Sequence, residues 1–127
     1  MPFSGTAVND RLIRENPDLI KRWIRAHVRA LVFVRQRTNE AAQIAAKELK
    51  LNADIARDAV VQVLQFMSPD DPGGFTEKGM RIFLRESAPR VDVDPDKVAI
   101  TQVADLRLLR EVQKEMGIHC RGDYLCQ

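Results

Sequence analysis

The sequence predicts a mainly helical domain in which one short N-terminal strand precedes five or six helices. Three observations favour this class. Apolar residues recur at spacings of three and four along most of the 127 residues, as on one face of a helix. Only residues 3–8, FSGTAV, have the short and partly β-branched composition of a strand. With 45% hydrophobic and 30% charged residues, residues 1–127 form a single domain or a fragment of one.

The strand predicted at residues 3–8 stops at Asn9-Asp10 and has no convincing partner strand in the sequence. A lone strand leaves its backbone donors and acceptors unpaired, so it needs a sheet from another part of the protein or from another chain. We therefore expect either that this sequence is part of a larger protein, or that the strand Phe3–Val8 pairs with a second copy in a homodimer.

Helical spacing and capping residues then divide residues 9–118 into helices. Asn9 or Asp10 caps a short helix over residues 11–15, and Asn16 caps a long helix over residues 17–36. The long helix is the clearest element because its apolar residues keep helical spacing throughout. Its apolar face comprises Leu19, Ile20, Trp23, Ile24, Ala26, His27, Ala30, Leu31, Phe33 and Val34.

Two further helices follow closely. Thr38 is the expected cap of a helix with a small-residue face that ends before Leu51-Asn52. The next helix covers about residues 53–67. We expect its inward face to comprise Ile55, Ala59, Val60, Val63, Leu64 and Met67.

The last part of the chain alternates loops with helices. Residues 68–74 are dense in turn-forming residues, and Thr76 can cap a helix that ends near Ser87. A final helix is predicted over residues 103–116, and Gly117 is a suitable C-terminal stop. Residues 119–127 form a tail.

Positive charge is concentrated at the N-terminal end. The net charge is +2, but residues 1–37 carry eight basic and three acidic residues, a local charge of +5. Lys21, Arg25 and Arg29 recur every four residues on one face. The solvated side of an amphipathic helix explains this pattern better than binding to nucleic acid or anionic lipid, because no recognition motif and few aromatic residues accompany it. We expect no nucleic-acid partner.

The sequence contains no motif for catalysis, for a cofactor or for a metal site. His27 lies on an apolar stripe, where a core or boundary histidine is favoured over a catalytic one. Cys120 and Cys126 are close enough for a small disulfide-closed loop, but a pair of free thiols is equally consistent with the sequence. His119 beside them lacks the paired spacing of a zinc site.

A weak ligand-binding candidate lies in the predicted strand. Ser4 and Thr6 flank Gly5, and their hydroxyls could donate hydrogen bonds to a small ligand at the strand end. Small residues at these positions could equally serve close backbone packing, which is the favoured interpretation.

The order of several motifs resembles one family of transport proteins. The motifs are the strand, the Glu15-Asn16-Pro17 turn before the long helix, residues in the long helix and in the helix that follows it, the loop 71–76 and the closing helix 105–118. The residues that carry the resemblance in the helices are Trp23, Ala26, Arg29, Ala30, Asn39, Glu40, Ala41, Ala42, Glu48 and Leu49. Together they resemble substrate-binding proteins of ABC importers for sulfonates, taurine, nitrate and thiamine precursors.

This resemblance implies that the chain is the C-terminal portion of an α/β two-lobed, class II periplasmic binding protein. Residues 3–8 would then be the strand that returns through the hinge. The implied function is binding of a small organic anion or a thiamine-precursor-like solute without catalysis, with an ABC permease as partner. The implied location is the periplasm, although MPFSGTAVNDRLI lacks the features of a signal peptide.

Two other functions remain as alternatives. Synthases of the thiamine pyrimidine precursor share the fold by resemblance, but no His or Cys cluster is in place for such an enzyme, so we expect no enzymatic activity. The alternative from a different class is a free-standing helical domain for interaction or dimerisation.

Overall fold

The computed structural model describes residues 5–122 and 124–126, and within these ranges it contains seven α-helices and one 3-10 helix. The elements are α1 (Asp10–Glu15), α2 (Pro17–Gln36), α3 (Thr38–Leu49), α4 (Ala53–Phe66), α5 (Glu77–Ser87), the 3-10 helix (Ala88–Arg90), α6 (Ile100–Val103) and α7 (Arg107–Glu115).

The predicted helix starts are largely confirmed. The side chains of Asn9, Asn16 and Thr76 each accept a hydrogen bond from a backbone N–H in the first turn of α1, α2 and α5. Asn52 does the same for α4. The expected cap at Thr38 is wrong, because Thr38 is already helical and its hydroxyl donates to backbone carbonyls at the end of α2.

Helix α2 lies at the centre of the packing. It contacts α1, α3, α4 and α7, while α5 contacts the 3-10 helix and α6. The most extensive contact joins α3 and α4, which form a helical hairpin with a connection of three residues. Lys50 begins this connection in the left-handed region, with φ of 53°, which ends α3 and allows the chain to reverse.

The structure contradicts the predicted fold class. Residues 5–8 have no regular structure, and residues 3 and 4 of the predicted strand lie outside the described ranges. No strand or sheet occurs in the described part of the chain, where pairing is limited to an isolated antiparallel bridge between Thr76 and Tyr124. The expected N-terminal strand and the expected α/β lobe are therefore wrong for these residues. Gly5 and Thr6 are exposed, and no neighbouring strand offers backbone partners.

The predicted final helix over residues 103–116 is confirmed as α7, but its predicted start is four residues too early. Helix α6 ends at Val103, and Ala104 adopts an extended conformation before α7 begins at Arg107. The Asp105 carboxylate accepts a hydrogen bond from the Arg107 backbone N–H at 3.0 Å and also pairs with the Arg107 guanidinium. An aspartate that bonds to the backbone two residues later competes with continuous helix, which explains the break.

The core of the described region is thin. Its buried apolar residues are Val28, Ala41, Ala42, Ala56, Met80, Leu84, Ala88, Leu109 and Val112. Four of these nine are alanines, so helices pack closely but bury little side-chain area. None of the helices in the described ranges combines the length and the hydropathy that crossing a bilayer requires.

Candidate functional site

The predicted ligand-binding residues do not form a site among the described residues. Gly5 and Thr6 lie in an exposed irregular segment, and Ser4 lies outside the described ranges. A Cβ added to Gly5 would meet no atom within 4 Å, so close packing does not require this glycine. In the described part of the chain, nothing packs against Gly5 that could help to hold a solute.

Two residues of the basic face of α2 form ion pairs with α7. Lys21 Nζ lies 2.5 Å from Glu115 Oε1 and 3.2 Å from Glu111 Oε2, and the Arg25 guanidinium also pairs with Glu115. The hydrogen bonds from Lys21 and Arg25 lower the pKa of the Glu115 carboxyl, and those to Glu115 and Glu111 raise the pKa of Lys21. These two cations attach α2 to α7.

His27 is exposed, so the expectation of a core or boundary histidine is wrong. Its ring stacks on Trp23, with the ring centroids 5.0 Å apart and the planes inclined by 10°. Trp23 is itself 46% exposed. The histidine thus extends an aromatic surface of α2.

A buried polar cluster joins the loop before α5 to α7. Asp71 is fully buried, and its carboxylate accepts hydrogen bonds from both terminal nitrogens of Arg110 and, at 2.7 Å, from the Gln113 amide. The same Gln113 amide donates to the Pro72 carbonyl at 3.1 Å. Adjacent Asp70 is exposed. Of these two adjacent carboxylates, only that of Asp71 lies in the interior.

The C-terminal tail closes over this cluster. Arg110 Nε donates to the Leu125 carbonyl at 2.8 Å, and the bridge between Thr76 and Tyr124 holds the tail against the start of α5. Cys120 and Cys126 are joined in a disulfide. No buried side-chain nitrogen or oxygen in the described region lacks a hydrogen-bond partner. A cluster so completely paired and covered stabilises the fold and leaves no reactive group open to a substrate.

No metal centre is present among the described residues, since they contain no group of three or more His, Cys, Asp or Glu side chains with suitable placement. A hollow of about 310 Å³ beside the disulfide is lined by Arg110, Lys114 and His119 among others. The residues that line it include no carboxylate.

The most distinctive surface is an uncovered apolar row on α4. We call it the α4 stripe and define it as Ile55, Ala59, Val63 and Phe66, which are spaced by four, four and three residues. The exposed fractions of Ile55, Val63 and Phe66 are 59%, 53% and 75%, and Ala59 is exposed as well. Residues at this spacing lie on one side of a helix, so their side chains form a continuous surface.

The α4 stripe lies beside the inward face of the same helix. Each of its residues comes immediately before a buried or half-buried residue, so the stripe is rotated from the inward face by about 100°. The inward residues are Ala56, Val60, Leu64 and Met67. Sequence periodicity assigned Ile55, Ala59 and Val63 to the inward face as well, and this assignment is wrong because α3 covers only part of so wide an apolar surface.

The α4 stripe is accompanied by a lack of charge and by further exposed apolar residues of the α3–α4 hairpin. The segment from Ala59 to Met67 has no charged residue. Ile44 on α3 is 52% exposed, and Leu51 in the hairpin connection is 41% exposed. Depletion of charge around aromatic and aliphatic side chains is typical of the centre of protein–protein interfaces.

Comparison with known proteins finds no match: no family model, no curated protein and no solved structure matches this chain.

Proposed function

We propose that this chain is a helical interaction module that binds another polypeptide helix through the α4 stripe. The observation that carries the proposal is the row of exposed apolar side chains at Ile55, Val63 and Phe66 on α4, whose contact with α3 is the most extensive between two helices of the described residues. Spacing by three and four residues is the pattern by which amphipathic helices dock against an apolar partner surface.

The energetic reason is the contact of these side chains with water. Complete burial of an Ile, Val or Phe side chain contributes about 1.5–3 kcal/mol relative to full exposure. The three large residues of the stripe retain more than half of their exposure, so a partner can still gain a substantial part of that energy. Hydrophobic residues scattered singly need no such explanation, but four in one row on one helix do.

The hairpin also meets the requirement for a preorganised surface. Ala41, Ala42 and Ala56 are buried where α2, α3 and α4 pack, and the Arg35 guanidinium donates to the Met67 carbonyl at 2.9 Å just beyond α4. A surface held on two packed helices loses little conformational entropy when it binds.

Solute binding for an ABC importer stays a prediction of the motif resemblance. It depended on a returning strand and an α/β lobe, and the described residues contain neither. No described polar constellation supports either a solute site or an enzyme, so neither function is proposed here.

The proposal is tested by measuring whether the stripe is covered in the cells that make the protein. Val63→Cys provides a thiol on the stripe, and Val103→Cys provides a matched control because Val63 is 53% and Val103 51% exposed. Both variants are labelled with a permeable maleimide in intact cells and, as a reference, as dilute purified proteins. The label is read by peptide mass at positions 63 and 103, apart from the native cysteines, which the structure joins in a disulfide.

We expect the thiol at position 63 to be protected in cells and labelled when the protein is dilute, with the thiol at position 103 labelled in both. Equal labelling of the two positions in cells would contradict an interaction through the α4 stripe.

A further inference from the structure

We infer that the helix bound by the α4 stripe is α4 of a second copy of this chain, in a symmetric antiparallel dimer. This inference rests on the proposed function and adds the identity of the partner. Three features carry it: the area that the isolated chain leaves exposed, the distribution of charge along α4, and the self-complementary order of side chains in the stripe.

The isolated chain exposes more surface than its mass explains. Its accessible surface is 9532 Å², whereas a folded monomer of 14.4 kDa exposes about 6800 Å². Even if the six residues outside the described ranges are counted at the value for an unfolded chain, at most about 1000 Å² is subtracted. About 1700 Å² of excess surface then remains.

That excess suits a dimer interface. A standard interface buries about 800 Å² on each partner, and obligate homodimers bury about 1000–2500 Å² on each. An apolar contact of the α4 stripe with a second copy would remove part of this excess. Closed two-fold association is also the commonest form of assembly for soluble proteins.

Charge along α4 favours an antiparallel arrangement. The charged residues of α4 are Asp54, Arg57 and Asp58, all in its N-terminal half, and the C-terminal half is uncharged. In an antiparallel pair, the acidic ends of the two copies lie at opposite ends of the contact. Each helix N-terminus then lies near the C-terminus of the other helix, so the helix dipoles attract as well. A parallel pair would bring the aspartates together.

The stripe also complements itself in this orientation. An antiparallel register places Ile55 against Phe66 of the second copy and Ala59 against Val63 of the second copy. At the centre, Ala59 faces the larger Val63, which allows the helices to approach closely. At each end of the contact, Ile55 packs against Phe66.

The first experiment measures the mass of the full chain in solution by sedimentation equilibrium over a range of micromolar concentrations. We expect the wild-type mass to rise from 14.4 kDa toward twice that value. Val63→Asp places a charge in the centre of the contact and should weaken dimerisation by at least about tenfold. Val103→Asp, at a position of equal exposure on α6, should leave it unchanged. Circular dichroism verifies that both variants are folded.

A second measurement tests the orientation without relying on a disruptive variant. In the antiparallel register, position 55 of one copy lies about 16 Å from position 55 of the other, beyond the reach of a disulfide. Oxidation should therefore cross-link a mixture of Ile55→Cys and Phe66→Cys chains, but not Ile55→Cys alone. Efficient cross-linking of Ile55→Cys alone would overturn the antiparallel arrangement.

The outcomes separate this inference from the proposed function. A wild-type mass that stays at 14.4 kDa at every concentration overturns the dimer. If the thiol at position 63 is nevertheless protected in cells, the interaction module stands and its partner is a different protein. Equal dimerisation by wild type and Val63→Asp would overturn the assignment of the interface to the α4 stripe.

Discussion

At the scale of single residues, Asp71 shows how a loop carboxylate becomes part of the core. Its partners Arg110 and Gln113 are 39 and 42 residues away in sequence, and no local pattern connects them. The Arg110 side chain is only 12% exposed, so the guanidinium depends on Asp71 for its compensating charge.

Replacement of Asp71 by Ala should therefore destabilise the fold strongly. Removing one partner of a buried ion pair leaves the other charge uncompensated, which costs about 3–5 kcal/mol. Urea denaturation measures the free energy of unfolding, and Asp70→Ala is the matched control because Asp70 is exposed. Similar stabilities of the two variants would contradict the structural role of Asp71.

Gly74 is required by the same cluster. A Cβ at this position would overlap the Asp71 carboxylate, so Gly74→Ala must displace that carboxylate from Arg110. We expect a loss of about 1–3 kcal/mol by urea denaturation. Gly5→Ala, at a position with open space, should have little effect.

A double-mutant cycle separates this mechanism from a general backbone effect. In an Asp71→Ala background, Gly74→Ala should cost much less, because the overlapping group is absent. An undiminished loss in that background would show that the overlap with Asp71 does not cause the destabilisation.

At the scale of elements, local signals predicted most helices, and competing local hydrogen bonds determined the exceptions. Asn9, Asn16 and Thr76 cap helices as expected, because a cap acts on the turn that immediately follows it. The start of α7 was predicted four residues too early because Asp105 lies within a stretch of regular apolar spacing. Its hydrogen bond to Arg107 outweighs that spacing.

The attachment of α2 to α7 should depend on pH through Glu115. Its pKa is lowered in the folded state by Lys21 and Arg25, so its contribution to stability is present above 4.5 and is lost as the pH falls through the lowered value. The pKa of Lys21 is raised, so its contribution is lost only as the pH rises beyond 10.5. The ion pair therefore stabilises the protein between these limits.

Glu115→Gln should lower the melting temperature slightly at neutral pH and leave it unchanged at a pH where the wild-type carboxyl is protonated. Thermal unfolding followed by circular dichroism across this range provides the measurement. Glu15→Gln removes a pair with Arg11 inside one short exposed helix and is the control, for which no comparable pH-dependent difference is expected. A Glu115→Gln difference that persists in acid would exclude the ion pair as its cause.

At the scale of the whole molecule, the helical content was predictable from the sequence, but what covers the apolar face of each helix was not. Periodicity reports that one side of a helix is apolar, without reporting whether this chain or another covers it. The width of the apolar face of α4 and its lack of charge were the available signals that another chain covers it. The expected strand failed for a related reason, since a strand requires partners that local composition does not supply.

If two copies bury the α4 stripe, the stability of the protein must depend on its concentration. Association favours the folded state by mass action, so the melting temperature should rise as the wild-type concentration is increased. Val63→Asp should show a flat dependence, and Val103→Asp should follow wild type. A flat dependence for wild type at micromolar concentrations would contradict dimer-linked stability.

The exposed α4 stripe also determines how self-association of the protein responds to cold and to salt. Attraction between apolar surfaces weakens on cooling and strengthens in sulfate, whereas an assembly held by charge pairs is weakened by salt. We therefore expect gel filtration in a cold, dilute buffer to shift the elution toward the smaller species, and ammonium sulfate at room temperature to shift it toward the larger. Because the contact includes the uncharged segment from Ala59 to Met67, the oligomeric state of the protein should be stated together with the temperature at which it was measured.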